Sequence, residues 1–318
     1  MLQIRVISPS EITPQVVERL ARDRGTASVA VHHKAGIEPE GDLIIVEVAR
    51  ERGNAIVDAL VGMDLDVEGS ISLISLEAHT SRRGHEAEIA AQGHGADALM
   101  WQELEEKARS DSFATVTYYV LMMVAVLIAT IAIVLDSAVL VIGAMIVGPE
   151  YAPLQALAVS LYRRAPDARR ALVTLLSGLA IGIVAAAAFT AILRAVDEIP
   201  ADFSTGGNFF TAFVSEPNVY SFLIAFFAGI AGTIALAQGR QAALAGVLVS
   251  VTTLPATAAI GVDAVVEDWG DALDAFIQLL INLVALMLAS IAALWVHDRA
   301  WRRLLLTPRH RPGTSPRL

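Results

Sequence analysis

One ionisable side chain stands where hydrocarbon is expected: Glu150, lying between Gly148-Pro149 and Pro153 in the middle of the mostly apolar stretch from 135 to 164. Carboxylates inside a bilayer are expensive and mark ion paths, proton relays or substrate sites. Proline removes a backbone donor and disfavours helix at the residue before it, so Gly148-Pro149 and then Pro153 interrupt this segment. Broken backbone at membrane depth is tolerated only where protein buries it or where it lines a wet cavity. A second interrupted stretch is GVLVSVTTLP, in which Gly246 is followed by Ser250, Thr252, Thr253 and Pro255. Half-helix ends at two such places offer unpaired amides or carbonyls to a ligand. Gln278 and Asn282, one helical turn apart in the last apolar segment, and Asn218, after Pro217, complete the candidate set. Each has a plainer reading. Glu150 lying near the cytoplasmic face would reach water or an arginine, two proline kinks can simply shape a bundle, Gln278 and Asn282 can glue helices together, and Asn218 can cap one.

The elements that must position these residues are membrane helices. The chain is 55% hydrophobic and 18% charged, with a mean hydropathy of +0.58, too apolar for a soluble protein of 318 residues. Residues 1–110 are an ordinary polar mixture, whereas 113–296 are almost unbroken Ala, Val, Ile, Leu and Gly. Six segments are predicted near 113–135, 137–162, 170–194, 219–237, 241–261 and 274–296. Arginines crowd the connection 163–170, stand at Arg240 and fill the tail, while Asp197, Glu198, Asp202, Glu216 and the run Asp263–Asp274 make the alternate connections acidic. Basic connections on one side place both termini in the cytoplasm. Six crossings divide into three plus three, so the second half is inverted relative to the first. The middle segment of each half, the second and the fifth, is the broken one. Matched breaks in inverted halves are the sequence signature of a transporter's midplane site. Gly178 and Gly182 form GxxxG in the third segment, with Gly229 and Gly232 in the fourth, as close-packing positions within or between subunits.

Ahead of the membrane region, 2–8 alternates Leu2, Ile4 and Val6 with polar residues as a half-buried strand does. A helix from Ser10 to Arg24, strands at 27–33 and 42–49, a helix at 54–63 and a strand at 70–76 follow, giving the ferredoxin-like order βαββαβ. Residues 80–95 read as a flexible linker. From Asp97 the pattern Leu99, Met100, Leu104 suggests an amphipathic helix, with Trp101 at the interface or packed on the soluble domain. His32 and His33 point to opposite faces of a strand and do not make a metal site easily.

Composition also excludes. With no cysteine there is no disulfide and no thiolate metal site. A net charge of -10 argues against a nucleic-acid partner. No HExxH, GxSxG or P-loop and no paired acid and base are found, so an enzyme is not expected, nor any metal or cofactor.

The blocks DSAVLVIGAMIVGPEYAPL, SEPNVYSFLIAFFAGIAGTIALAQGR, GVLVSVTTLP and LINLVALMLA resemble a prokaryotic family of uncharacterised hydrophobic membrane proteins, domain of unknown function 389. The resemblance covers the membrane region and the helix leading into it. It implies a multi-pass protein of the bacterial plasma membrane and carries no reaction or substrate.

The expectation is therefore a cytoplasmic ferredoxin-like domain at 1–79, a linker and amphipathic helix at 80–112, a six-helix membrane domain at 113–296 and a basic tail at 297–318. The protein is read as a homo-oligomer in the lipid bilayer that passes a small solute or ion, with the soluble domain regulating it or holding the oligomer together. The alternative is a non-transporting sensor or scaffold whose soluble domain does the work.

Overall fold

A computed structural model describes residues 1–76, 78–91, 99–199, 203, 205, 219–237 and 253–306 of the chain. Alternating side chains build the first unit. Strand β1 (Leu2–Ser8) sends Leu2, Ile4 and Val6 inward, because successive side chains on a strand face opposite ways. Helix α1 (Thr13–Ala21), strands β2 (Thr26–Ile37) and β3 (Glu40–Val48), helix α2 (Gly53–Val61) and strand β4 (Ser70–Ser75) follow. The four strands form one antiparallel sheet in the order β2-β3-β1-β4. Its register sets Ile4 opposite Val46 on β3 and Leu73 on β4. Val16 and Leu20 from α1 and Ile56 and Leu60 from α2 close the core over one face.

Two buried carboxylates tie this unit's loops. The amide of Lys34 donates to Asp42 Oδ1 at 2.8 Å, and Ser10 Oγ donates to the same oxygen at 3.1 Å. His33 Nδ1 stands 3.3 Å from Asp42 Oδ2. These donors, the Lys34 amide foremost, hold the Asp42 carboxyl down to about 2. Burial pushes the Asp23 carboxyl up, but Arg52 and the Gly25 amide outweigh it and the net shift is downward. Arg52 grips Asp23 through Nε at 3.1 Å and Nη2 at 2.7 Å.

Helix α3 (Arg82–Ala90) occupies the stretch expected to be a linker. Ser81 Oγ accepts the Gly84 amide at 2.8 Å as an N-cap, and Arg82 pairs with Glu86 one turn on at 3.0 Å. Helix α4 (Trp101–Asp111) starts four residues later than the predicted Asp97. Its first residues are fastened to the sheet unit: Asn54 Nδ2 donates to the Leu99 carbonyl at 2.7 Å, and the Trp101 amide donates to Asn54 Oδ1 at 3.1 Å.

The chain divides into two units, Met1–Glu103 with the residues from His297 on, and Leu104–Val296. The second is helical. Its elements are α5 (Val116–Val134), α6 (Ala138–Val147), α7 (Tyr151–Arg163), α8 (Ala168–Ala195), α9 (Val219–Ala237), α10 (Thr253–Val266) and α11, which spans Trp269–Leu306 and continues past the unit's end. Among the described residues, α5, α8, α9 and α11 are each long and apolar enough to cross a bilayer. The pair α6 and α7, bent by 54°, makes up to a fifth crossing. Six crossings were expected. The fifth of those, 241–261, lies outside the described residues over 241–252, and its described remainder belongs to the shorter apolar helix α10. Leu121, Val184, Ile192 and Leu288 point outward from the bundle, as lipid-facing side chains do.

The acidic connection predicted across 263–274 is mostly helix. Residues of α10 stay apolar and helical as far as Val266, and left-handed Glu267 (φ 66°) then ends it, with the Asp268 amide donating to the Asp263 carbonyl at 3.0 Å. Helix α11 opens with Trp269 and carries Asp271 in its first turn, where the helix dipole favours negative charge.

Glycines set the closest contacts. A methyl group at Gly261 would lie 2.6 Å from the Ile183 carbonyl oxygen, so α10 meets α8 backbone to backbone. Gly178 leaves room for the Tyr118 hydroxyl and Gly182 for Val126 and Thr257. Both glycines of this GxxxG therefore serve packing within one subunit.

Candidate functional site

The break between α6 and α7 consists of Gly148, Pro149 and Glu150. Gly148 leaves the helix for extended backbone (φ -63°, ψ 130°), as the residue before a proline prefers. Glu150 returns to helical angles and stands just ahead of α7. Its side chain folds back over the break: a Cβ on Gly148 would lie 2.4 Å from Glu150 Oε2 and 2.6 Å from Leu254 Cδ1. Glycine is needed here for close approach. Pro153 breaks nothing, contrary to the reading from sequence. It is the third residue of α7, and amides in a helix's first turn have no partner within the helix to lose.

Thr253 and Pro255 come from α10, which packs against α5, α6 and α8. Thr253 Oγ1 donates to Glu150 Oε1 at 3.1 Å, so residues 103 apart in sequence meet. Glu150 is 3% exposed, Thr253 fully buried, and Glu150 Oε2 has no hydrogen-bond partner among the described residues. Pro255 follows two residues after Thr253 and is buried in α10. The other members of the predicted pair of breaks, Ser250 and Thr252, and the candidate Asn218 lie outside the described residues. Gln278 and Asn282 are fully buried on α11, with Gln278 Nε2 donating to Asn282 Oδ1 at 3.5 Å and Gln278 Oε1 unpartnered.

Two buried groups escaped the sequence reading. Gln155, one turn beyond Tyr151 on α7, donates from Nε2 to the Tyr151 hydroxyl at 2.7 Å and to Ser290 Oγ of α11 at 2.9 Å. Its Oε1 accepts from Thr233 Oγ1 of α9 at 3.2 Å. One amide thus joins three helices. The available signal was a lone amide in an apolar run, which by itself does not tell a site from a strut.

The second group is Asp263, placed by the sequence reading in a solvated loop. It is fully buried on α10. Thr205 Oγ1 donates to Asp263 Oδ1 at 2.6 Å and stands 3.3 Å from Asp271 Oδ2. Asp263 Oδ2 has no partner among the described residues. Among the described residues, the interior of the bundle therefore holds two carboxyl groups, each bonded to one threonine hydroxyl and each with a bare oxygen.

Nothing among the described residues gathers three or more His, Cys, Asp or Glu side chains in a metal-holding arrangement. Chemically the cluster can accept hydrogen bonds, hold a proton or meet a cation.

No curated protein and no solved structure matches the chain. Residues 145–288, which run from the end of α6 to the second half of α11 and include both Glu150 and Asp263, match the family model described as Domain of unknown function (DUF389). The match covers 144 of the 318 residues and supports membership of the DUF389 family through that stretch.

Proposed function

We propose that the protein is a membrane permeation protein, a transporter or channel-like conductor of a small solute or ion, with its site between the Gly148–Glu150 break and Thr253 of α10. The observation that carries this reading is the contact of Thr253 Oγ1 with Glu150 Oε1, beside a carboxylate oxygen that is buried and unpartnered. A buried ionisable group left half-satisfied at an interrupted helix is costly unless something else meets it. In this reading Glu150 is the ion- or proton-linked carboxylate. Thr253 orients it, and Gln155, Gln278 and Asn282 supply polar positions further along the bundle.

The finer architecture belongs to the same proposal. The bent pair α6 and α7 in one half and the shorter apolar helix α10 in the other support two inverted three-crossing halves, six crossings in all. The sheet order β2-β3-β1-β4 supports a ferredoxin-like soluble domain, which we place in the cytoplasm as a regulator or oligomer clamp. The protein is read as a homo-oligomer of the plasma membrane with both termini inside, and not as an enzyme. The test is purified protein in liposomes. Glu150→Gln should abolish pH-dependent flux, and flux that keeps its pH dependence would remove Glu150 from the mechanism.

One observation favours a second reading, a sensor whose soluble domain does the work. Arg19, Arg22, Arg24 and Arg52 line a cleft with Asp23, Gly25 and Ala90 in the first unit, a place for an anionic ligand. Flux absent from the wild type, together with saturable anion binding, would favour it.

A further inference from the structure

The unsatisfied atoms of the helical unit share one character. Among its described residues, the buried side-chain atoms without a hydrogen-bond partner are Glu150 Oε2, Thr190 Oγ1, Asp263 Oδ2 and Gln278 Oε1, all of them oxygens. No lysine, arginine or histidine side chain is buried among the same residues, and Arg163, Arg164, Arg169, Arg170 and Arg194 are exposed. Glu150, Asp263 and Gln278 thus each present a bare acceptor oxygen, two of them on carboxyl groups. Buried polar groups are ordinarily paired, so a partner that meets oxygen acceptors, a donor or a cation, fits these positions and an anion does not.

We infer that the species passing through this bundle is a small inorganic cation, received at Asp263 and handed on to Glu150. This rests on the permeation reading and gives it a substrate class and a second station. At Asp263 the Thr205 hydroxyl lies within 2.6 Å of one carboxylate and 3.3 Å of another. A hydroxyl has one hydrogen, and it is committed to Asp263. Thr205 Oγ1 and the Asp271 carboxylate are hard oxygen atoms of the kind that bind such cations, and they neighbour the carboxyl group whose Oδ2 is bare. Asp271 is partly exposed, so the group opens from solution to a buried oxygen. The charged groups around it are Asp271 from α11, Glu267 and Asp268 from the turn, and Arg194 from α8. The Arg194 guanidinium is directed to the Val265 carbonyl at 2.7 Å.

Helix α10 links the stations. Thr253, which holds Glu150, and Asp263 are ten residues apart on it, about 15 Å along the axis. Gln278, seven residues beyond Asp271 on α11 and so about 10 Å along, adds an unpartnered oxygen. Among the described residues an anion would find no buried positive charge on this route.

The experiment compares sodium, potassium, proton, chloride and glycerol flux into liposomes holding the full chain. Wild type should pass one or more cations and neither chloride nor glycerol. Asp263→Asn should lower cation flux by about tenfold or more, the loss expected from removing one charged ligand, and Asp263→Glu should restore part of it. Chloride or glycerol moving as fast as the cations, or unchanged flux in Asp263→Asn, overturns the inference. If no solute moves, the permeation reading fails, and equilibrium binding of radioactive sodium together with proton titration of the solubilised protein decides the cation site. Binding lost in both Asp263→Asn and Glu150→Gln upholds it, and no binding overturns it. Should Asp263→Asn fail to fold, Thr205→Val leaves the carboxylate in place. Weakened cation binding in that variant supports the station, and unchanged binding sinks it.

Discussion

Asp23 and Asp42 in the sheet unit, set against Glu150 and Asp263 in the helical unit, are four buried carboxylates with two different fates. Asp42 takes the Lys34 amide, the Ser10 hydroxyl and the neighbouring His33, while Asp23 takes one edge of the Arg52 guanidinium on its two oxygens and the Gly25 amide. Glu150 and Asp263 each receive one threonine hydroxyl and keep one oxygen bare. Residue type does not separate the pairs. The supply of donors does: the first pair is saturated and holds loops in place, and the second is left open to an exchangeable partner.

That contrast can be broken by experiment. The largest effect is expected at Glu150, where Glu150→Gln in liposomes should reduce flux to the level of protein-free vesicles while the protein stays monodisperse. Asp23→Asn should act on stability alone. Losing a charged acceptor shared by Arg52 and Gly25 should cost about 2 kcal/mol, read as faster amide exchange of the sheet, with flux in the folded fraction unchanged. If Asp23→Asn silences flux in folded protein, the division between structural and open carboxylates fails. Gly148→Ala should push the Glu150 carboxylate and Leu254 aside at a cost of about 1–3 kcal/mol, seen as a lower melting temperature of the helical unit. For Asp42 the prediction concerns pH. Its carboxyl is held down from 3.8 to about 2, so its contribution is present above pH 3.8 and is lost as the pH falls toward 2. Asp42→Asn should flatten that part of the acid unfolding curve of the sheet. The smallest effect is Thr253→Val, worth about 1 kcal/mol for one hydrogen bond, which should shift the pH midpoint of flux without abolishing it.

The sheet unit was legible because alternation is a local signal: Leu2, Ile4 and Val6 announce their strand, and the Gly-Pro break before Glu150 announces itself equally well. What stayed hidden depended on contacts between distant segments. Nothing near Asp263 in sequence distinguishes it from the acidic residues of a loop, since its burial comes from α8 and Thr205. Gln155 looks like a stray amide until Thr233 and Ser290 arrive from two other helices. Pro153 misled for the opposite reason. Proline suggests a break wherever it stands, but in a first turn it interrupts nothing. The short stretch after Ser81 read as linker because its glycine and histidine masked a capped helix held by an Arg82–Glu86 pair.

The bare contact at Gly261 bears on how such a bundle moves. With no side chain to act as a bearing between α10 and the Ile183 carbonyl, the two helices mesh like flat plates and resist sliding or rolling past each other. Any swing that exposes Glu150 first to one side of the bilayer and then to the other would therefore carry α8 and α10 together as a single arm. The pivot would fall at Gly148-Pro149, where Gly148 turns to extended backbone and Pro149 has no amide hydrogen to donate.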